Sequence, residues 1–239
     1  MSLILRVDVD KPYGRHTLLR KIFSKIKEDY FTEFPVKIGY LSHLKQFIEF
    51  CNKNKVQGHF YHRICTAPDI ETLALQAEGK HIVGLHLENS RSKETLKAEV
   101  DKLQQKVNGI TINSFSKHGS GTYKLGKHHY PAYEPQNYKR WADELELKYP
   151  SGNGTAEKAE DLYALDGYYE NLFWIEPYYR SSKFNRLEDV VAAAKNSDVV
   201  VLIHPCNYLA DKQTKDDFER LVEIAKKEGI EWRLFESGK

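Results

Sequence analysis

Short apolar runs alternate with segments of helical periodicity along the whole chain. Residues 3–9 form a short run rich in branched side chains, which predicts a buried strand. Further strands are predicted at residues 56–63, 81–86, 110–115, 146–149, 172–176, 199–203 and 231–235. Apolar positions at helical spacing predict helices at residues 17–30, 41–54, 92–107, 138–145, 187–195 and 215–228, with a short one between Asp69 and Gly79. The residue 151–155 segment, Ser-Gly-Asn-Gly-Thr, is predicted to be a turn or loop.

The order of these elements predicts the fold class. Purely apolar strands such as 199–203, separated by helices, indicate a parallel sheet covered by helices on both sides. Seven or eight strands favour an α/β barrel over an open sheet. We therefore predict one domain over residues 1–239. The last long helix carries a capping-box pattern from Thr214 to Asp217 and a Gly229 stop.

Composition excludes several functional classes. The 36 basic and 34 acidic residues give a net charge of only +2, which provides no reason to expect nucleic acid as a partner. Three cysteines without a Cys-x-x-Cys pair indicate neither a disulfide framework nor a zinc ribbon. The first residues lack a signal-peptide pattern, and no stretch approaches the roughly 18 apolar residues of a membrane span. These features predict a soluble, cytoplasmic protein that does not bind membranes.

Acids and histidines follow several of the predicted strands. In parallel α/β folds the site forms where the carboxyl ends of the strands meet. The side chains concerned are Asp8, Asp10, His86, Glu88, His118 and His204. A carboxylate with imidazoles is a ligand set for a divalent transition ion such as zinc. The strand-end pattern therefore predicts a metal site.

Asp8 and Asp10 stand two residues apart, so in an extended strand both point to the same side. Two carboxylates crowded on one face repel each other unless a cation lies between them. The alternative is that one of them only caps the turn before residues 11–14.

Each histidine also has a plain structural interpretation. His86 and His204 could be satisfied core residues. His118 could be a surface residue of the long segment 116–137, whose length and three histidines are otherwise typical of a functional loop. His128 in the same loop could contact a substrate or could simply be a polar loop residue exposed to solvent.

Four segments in order resemble the polysaccharide-deacetylase family, the metal-dependent carbohydrate esterases with a distorted (β/α) barrel. Residues 6–10, Arg-Val-Asp-Val-Asp, resemble the opening acidic motif, and residues 58–61 resemble the second-strand segment. Residues 79–86, Gly-Lys-His-Ile-Val-Gly-Leu-His, resemble the family's segment ending in its first metal histidine and are the most specific piece. Residues 202–205, Leu-Ile-His-Pro, resemble the closing leucine-x-histidine motif.

The resemblance implies roles for individual residues. Asp8 corresponds to the catalytic base, Asp10 and His86 to metal ligands, and His204 to the residue that protonates the leaving group. The implied reaction is metal-assisted hydrolysis of an N-acetyl group on a carbohydrate or nucleotide-sugar, with zinc as the expected ion. Such a reaction would belong to polysaccharide biosynthesis.

Two departures from the family pattern are visible. The second metal histidine normally follows the first by four residues, where this chain has Ser90, so we expect His118 to supply that ligand. Val9 separates two acids that are adjacent in the usual motif, which leaves open an exchange of roles between Asp8 and Asp10.

Expected substrate contacts come from the polar and aromatic residues around the site. The predicted contacts are Lys11, Glu88, His128 and Tyr130. Trp174, Tyr178, Tyr179 and Arg180 could extend that surface, or they could simply pack a loop onto the barrel.

Two other functions compete with this prediction. One is a catalytically inactive carbohydrate-binding protein that keeps the barrel, which Ser90 would favour. The other is a different metal-dependent barrel hydrolase, which would usually carry a His-x-His pair on its first strand where this chain has residues 8–10, Asp-Val-Asp.

Overall fold

The computed structural model describes residues 1–10, 40–118 and 134–235 of the 239-residue chain. The predicted helix at residues 17–30 and the predicted contacts Lys11, His128 and Tyr130 lie outside the described residues.

Eight strands and seven α-helices are found in the described ranges. The strands are β1 (Ser2–Val9), β2 (Gly58–His62), β3 (Ile82–Leu87), β4 (Phe115–Lys117), β5 (Ser151–Thr155), β6 (Tyr169–Trp174), β7 (Val199–Ile203) and β8 (Glu231–Arg233). The helices are α1 (Tyr40–Lys53), α2 (Ile70–Glu78), α3 (Lys93–Lys106), α4 (Pro135–Glu144), α5 (Leu187–Ala194), α6 (Pro205–Ala210) and α7 (Lys212–Lys227). Short 3₁₀ turns lie at Ile64–Thr66, Ala159–Leu162 and Pro177–Tyr179.

The strands form a nearly closed parallel barrel with helices outside. The sheet order is β4-β3-β2-β1-β7-β6-β5, and β8 pairs with the beginning of β1. Between β4 and β5 the gap is narrowed by Lys148, which lies three residues before β5; its carbonyl accepts from the Phe115 amide at 3.0 Å and its amide donates to the Asn113 carbonyl at 2.9 Å. The predicted α/β barrel is confirmed.

Alternation along β1 separates the outer core from the barrel interior. Leu3, Leu5 and Val7 are fully buried and belong to the core cluster that includes residues of α1, α5 and α7. The intervening residues, Arg6 and Asp8 among them, therefore point into the barrel. Arg6 and Asp8 are only 0% and 3% exposed, so the barrel interior contains buried charged side chains below the carboxyl ends of the strands.

Several predicted elements needed correction. Residues 151–155 are strand β5 and not a loop, and the fourth strand begins at Phe115, later than predicted. At residues 146–149 there is a single bridge between Ser114 and Lys148 in place of a strand. The last helix begins after Asp211, one turn before the predicted box, because the Asp211 carboxylate accepts from the Thr214 amide at 3.1 Å. Helix α6 was not predicted.

No helix within residues 1–10, 40–118 and 134–235 is long and apolar enough to cross a membrane.

Candidate metal centre

Three ligand atoms converge where β1, β3 and β4 end. The Asp10 Oδ1 atom lies 2.7 Å from His86 Nε2 and 3.0 Å from His118 Nδ1. The two imidazole nitrogens are 3.1 Å apart. Asp10 directly follows β1, His118 directly follows β4, and His86 lies near the end of β3. The parallel topology therefore brings Asp10 together with two histidines that lie 76 or more positions later in the chain. These three side chains form the group that could hold a metal ion within the described residues.

The proton arrangement around His86 supports a cation at this point. Ser116 Oγ donates to Asp8 Oδ1 at 3.3 Å and lies 2.6 Å from His86 Nδ1. Because the hydroxyl proton is directed to Asp8, Ser116 accepts from an Nδ1–H, and a neutral His86 then has a bare Nε2. That lone pair faces the Asp10 carboxylate, and two acceptors at this distance require a proton or a metal ion between them.

The spacing and protonation of the other ligands also fit a metal. Zinc with ligands near 2.0–2.1 Å holds tetrahedral donors roughly 3.3 Å apart, slightly wider than the distances here. Burial alone would raise the pKa of Asp10, but His118, His86 and His204 outweigh it, and the net pKa lies well below the ordinary value. Burial lowers the pKa of His118 despite the attraction of Asp10, which favours the neutral, ligating form.

Asp8 lies deeper, in a bidentate ion pair with Arg6. Arg6 Nε donates to Asp8 Oδ1 at 3.0 Å, and Nη2 donates to Oδ2 at 2.7 Å. Burial opposes ionisation of Asp8, but the Arg6 guanidinium prevails and the pKa of the carboxyl is lowered. Asp8 Oδ2 is also 3.8 Å from His86 Nδ1. Asp8 is therefore an ionised group immediately beneath the metal centre.

His204, after β7, lies on another side of Asp10. Its Nε2 is 3.4 Å from Asp10 Oδ2, and its Nδ1 donates to Glu176 Oε1 at 2.8 Å. Glu176 also accepts from the His204 amide at 2.8 Å and from Asn207 Nδ2 at 3.1 Å. Burial would lower the pKa of His204, but Glu176 and Asp10 raise it to about 9. The imidazole is thus held as a proton donor in the metal-free protein.

Sequence reasoning did not identify the residues that support these side chains. Glu176 follows β6, and Arg63 follows β2, so the strand-end rule that selected the histidines could have found both. Arg6 and Ser116 lie inside strands, where only the interior side of the barrel shows their role.

Arg63 and Glu88 form a buried network beside the centre. Arg63 Nη1 donates to the Asp10 carbonyl at 2.6 Å, and Nε donates to Glu88 Oε1 at 2.7 Å. The Glu99 carboxylate accepts from the amides of Glu88 and Asn89 at 3.0 and 2.8 Å. The geometry favours a structural role for Glu88, since this predicted substrate contact is 6% exposed and paired.

The aromatic residues near His204 divide into two groups. Trp174 stacks on the His204 ring at 5.9 Å, and Tyr179 lies 6.3 Å from it. Tyr178 and Tyr179 are 39% and 46% exposed, so they remain accessible to a ligand. Arg180 instead donates to the Trp174 carbonyl at 2.7 Å and pairs with Asp217 at 2.6 Å, which holds the segment after β6 in place.

Comparison with known proteins places the fold. No family model and no curated protein matches the sequence. The catalytic domain of peptidoglycan N-acetylglucosamine deacetylase from Eubacterium rectale ATCC 33656 superposes with a TM-score of 0.53 at 13% identity, covering 99% of this chain and 90% of that one. A CE4 esterase from Streptococcus mutans superposes with a TM-score of 0.52 at 12% identity, covering 96% and 83%. At these identities the likeness concerns the backbone, and the chain has the barrel fold of polysaccharide deacetylases.

Proposed function

We propose that the protein is a metal-dependent hydrolase that removes an N-acetyl or related amide-linked group from a carbohydrate. The observation that carries this proposal is the convergence of Asp10, His86 and His118, with the paired His204 and Glu176 beside them. The fold shared with a named deacetylase and a CE4 esterase is consistent with it. A nucleotide-sugar substrate, a cytoplasmic location and a role in polysaccharide biosynthesis belong to the same proposal.

Asp10, His86 and His118 would hold one divalent ion, with zinc favoured by the mixed nitrogen and oxygen ligands. Three protein ligands leave a position open, which is the pattern of catalytic sites as opposed to structural ones. When bound, the ion supplies Lewis acidity toward the acetyl carbonyl and the attacking water.

The chain's own residues would move the protons. Asp8, kept ionised by Arg6, is proposed to accept a proton from water. His204 would donate its Nε2 proton to the departing amine, leaving a free amino sugar and acetate. Glu176 keeps the Nδ1 proton in place and so directs Nε2 toward Asp10 and the reacting group. Lys11, His128 and Tyr130 remain proposed substrate contacts, and Trp174 and Tyr179 would border the same space.

Metal content and turnover of three variants test these roles. Asp10→Ala is expected to abolish metal retention, because it removes a ligand. Asp8→Asn should keep the ion and lose deacetylation of an N-acetylated oligosaccharide. His204→Ala should slow turnover by roughly 10²–10⁴-fold while the metal stays bound, the usual range for loss of a general acid.

Two results would change the assignment. If Asp8→Asn loses the ion and Asp10→Asn retains it, the roles of the two acids are exchanged. If the protein, purified without chelator, holds well under one ion per chain and binds oligosaccharides without cleaving an amide bond, it is a binding protein and not an enzyme.

A further inference from the structure

An exposed pair of tyrosines lies just after the carboxyl end of β6, beside His204. The 3₁₀ turn Pro177–Tyr179 follows the strand, and its two aromatic side chains, Tyr178 and Tyr179, are 39% and 46% exposed. Their ring centres are 4.5 Å apart, and the Tyr179 ring lies 6.3 Å from the His204 imidazole. Accessible aromatic rings next to a polar site are typical of binding surfaces, because they offer a large contact area with a polar tip.

Packing within the barrel explains the neighbouring Trp174 but leaves much of the tyrosine pair accessible. Trp174 stacks on His204, and its Nε1 donates to the Gly154 carbonyl at 3.3 Å. In the described ranges, Tyr178 and Tyr179 are the exposed large hydrophobic residues that are adjacent in sequence. The other exposed ones stand singly, at Met1, Ile70 and Leu165.

The backbone beneath the pair is held in place. Arg180 Nε donates to the Trp174 carbonyl at 2.7 Å, and its Nη2 pairs with Asp217 of α7 at 2.6 Å. The Tyr179 amide donates to the Glu176 carbonyl at 3.0 Å. Because the turn is fixed before a ligand arrives, little ordering entropy is lost when a ligand stacks on its rings.

The charge of this surface indicates the chemistry of the ligand. The turn Pro177–Tyr179 contains no charged residue, and the Arg180 side chain is only 6% exposed and paired with Asp217. A phosphate group would favour a free cation here, and the described residues of the turn supply none. The C–H face of a neutral pyranose ring packs well on a tyrosine ring, and its hydroxyl groups can bond the phenol oxygen.

We propose that Tyr178 and Tyr179 form a platform for a second sugar unit, so that the substrate is an oligosaccharide and not a monosaccharide or a nucleotide-sugar. This inference rests on the proposed deacetylase function. The amide-bearing sugar lies between the metal centre and His204, and the next unit of the chain stacks on the tyrosines. The 6.3 Å between the Tyr179 and His204 rings is comparable to the repeat of a sugar chain.

Saccharide binding to the chelator-treated, full-length protein tests the platform without turnover. Calorimetry should show that a tetramer of β-1,4-linked N-acetylglucosamine binds roughly tenfold or more tightly than the monomer, because only the tetramer reaches the tyrosines. Uridine diphosphate N-acetylglucosamine should bind no better than the monomer. Equal affinities of monomer and tetramer, no measurable binding of the tetramer, or tighter binding of the nucleotide-sugar would overturn the proposal.

Substitutions at Tyr179 locate the binding. Tyr179→Ala should weaken tetramer binding by roughly two- to tenfold, the worth of one aromatic stack, and leave monomer binding unchanged. Tyr179→Phe should keep the wild-type affinity, because it retains the ring face. Leu165→Ala is the matched control, since it truncates an exposed side chain before the amino end of the same strand, and it should change neither affinity. Equal losses in Tyr179→Ala and Leu165→Ala would refute the platform.

Failure of the platform can be distinguished from failure of the proposed function. Acetate release by the zinc-loaded wild type measures hydrolysis, whereas binding that depends on Tyr179 measures the platform. If tetramer binding depends on Tyr179 but no acetate is released, the platform stands and the protein is a binding protein. If monomer and tetramer are deacetylated with equal kcat/KM, the hydrolase stands and the platform is wrong.

Discussion

At the scale of single residues, the hydroxyl of Ser116 decides which nitrogen of His86 is left to face Asp10. It links His86 Nδ1, 2.6 Å away, to the Asp8 carboxylate, 3.3 Å away. Partners of this kind hold a ligating histidine in one tautomer and one orientation. Only Nε2 of His86 is then left to face Asp10.

Ser116→Ala should therefore lower zinc affinity without removing a ligand. We expect a loss of roughly 10–100-fold, the usual effect of deleting an outer partner of a metal-bound histidine. Competition with a chromophoric chelator measures it. Ser114→Ala, which changes an interior serine away from the centre, should leave zinc affinity within error, and an equal loss in both variants would contradict the orienting role.

The pair of His204 and Glu176 makes a prediction about pH. In metal-free protein the pKa of His204 is raised to about 9, chiefly by Glu176 and Asp10 against the opposing effect of burial. Glu176→Gln removes the largest stabilising charge, so the pKa should move down toward the ordinary 6.5. Titration of the His204 ring protons by NMR measures the shift.

The same pair contributes to stability in a defined pH range. Because the folded pKa is raised, the contribution is complete below the unfolded value near 6.5 and is lost as pH rises through about 9. Glu157→Gln is the control for Glu176→Gln. It makes the same change in an exposed glutamate that pairs with Lys183, and it should not change the titration of His204. A titration in Glu176→Gln that matches the wild type would remove the basis for His204 as a proton donor.

At the scale of elements, helix α7 shows how a cap is chosen. Its N-cap is Asp211, whose carboxylate accepts from the Thr214 amide at 3.1 Å and from the Thr214 hydroxyl. Thr214 is fully buried and lies within the first turn of the helix, so it is not the N-cap residue. The capping-box pattern from Thr214 to Asp217 therefore predicts the start of this helix about one turn too late.

Asp211→Ala should cost about 1 kcal/mol in the free energy of unfolding, the usual loss of an aspartate cap. Urea denaturation followed by circular dichroism measures it. Asp216→Ala removes an exposed aspartate of the same helix that pairs with Lys212 and should cost less than about 0.5 kcal/mol. A larger cost at Asp216 than at Asp211 would show that α7 begins elsewhere.

Strand β5 shows the limit of composition at this scale. Two glycines, a serine and an asparagine predict a loop, but the segment pairs with β6 and its backbone meets Arg6, whose Nη1 donates to the Gly152 carbonyl at 2.6 Å. A Cβ at Gly154 would lie 2.9 Å from the backbone carbonyl oxygen of Glu170, closer than real Cβ contacts come, so the close approach of the β6 backbone favours glycine there. At Gly154, therefore, a residue typical of loops serves tight packing between two strands.

At the scale of the whole molecule, Arg6 joins opposite parts of the barrel. Besides Asp8, its guanidinium donates to Ser151 Oγ at 3.1 Å and to Asn153 Oδ1 at 2.8 Å, 145 or more residues along the chain. A fully buried guanidinium is tolerated because every side of it has an acceptor.

Arg6→Met should destabilise the fold by about 3–5 kcal/mol at neutral pH, because it leaves the Asp8 charge buried and unpaired. Burial then raises the pKa of Asp8, so the deficit should shrink as pH falls and the carboxyl becomes neutral. Chemical denaturation across a pH series measures this. The double variant Arg6→Met with Asp8→Leu should recover most of the loss; a double variant no more stable than Arg6→Met would show that the contacts with β5 matter more than the ion pair.

The sequence by itself determined the barrel and the identity of its polar strand ends, because apolar periodicity and the parallel βα order are local properties of the chain. It also pointed to Asp10, His86, His118 and His204, since strand ends are readable from those patterns. The Ser90 position also led to the expectation that His118 is a ligand, but only the tertiary structure brings His118 Nδ1 to 3.0 Å from Asp10 Oδ1. It alone gave Arg6 and Ser116 their roles, because these depend on which interior side chains meet across the barrel, at distances of a few ångströms between residues far apart in sequence.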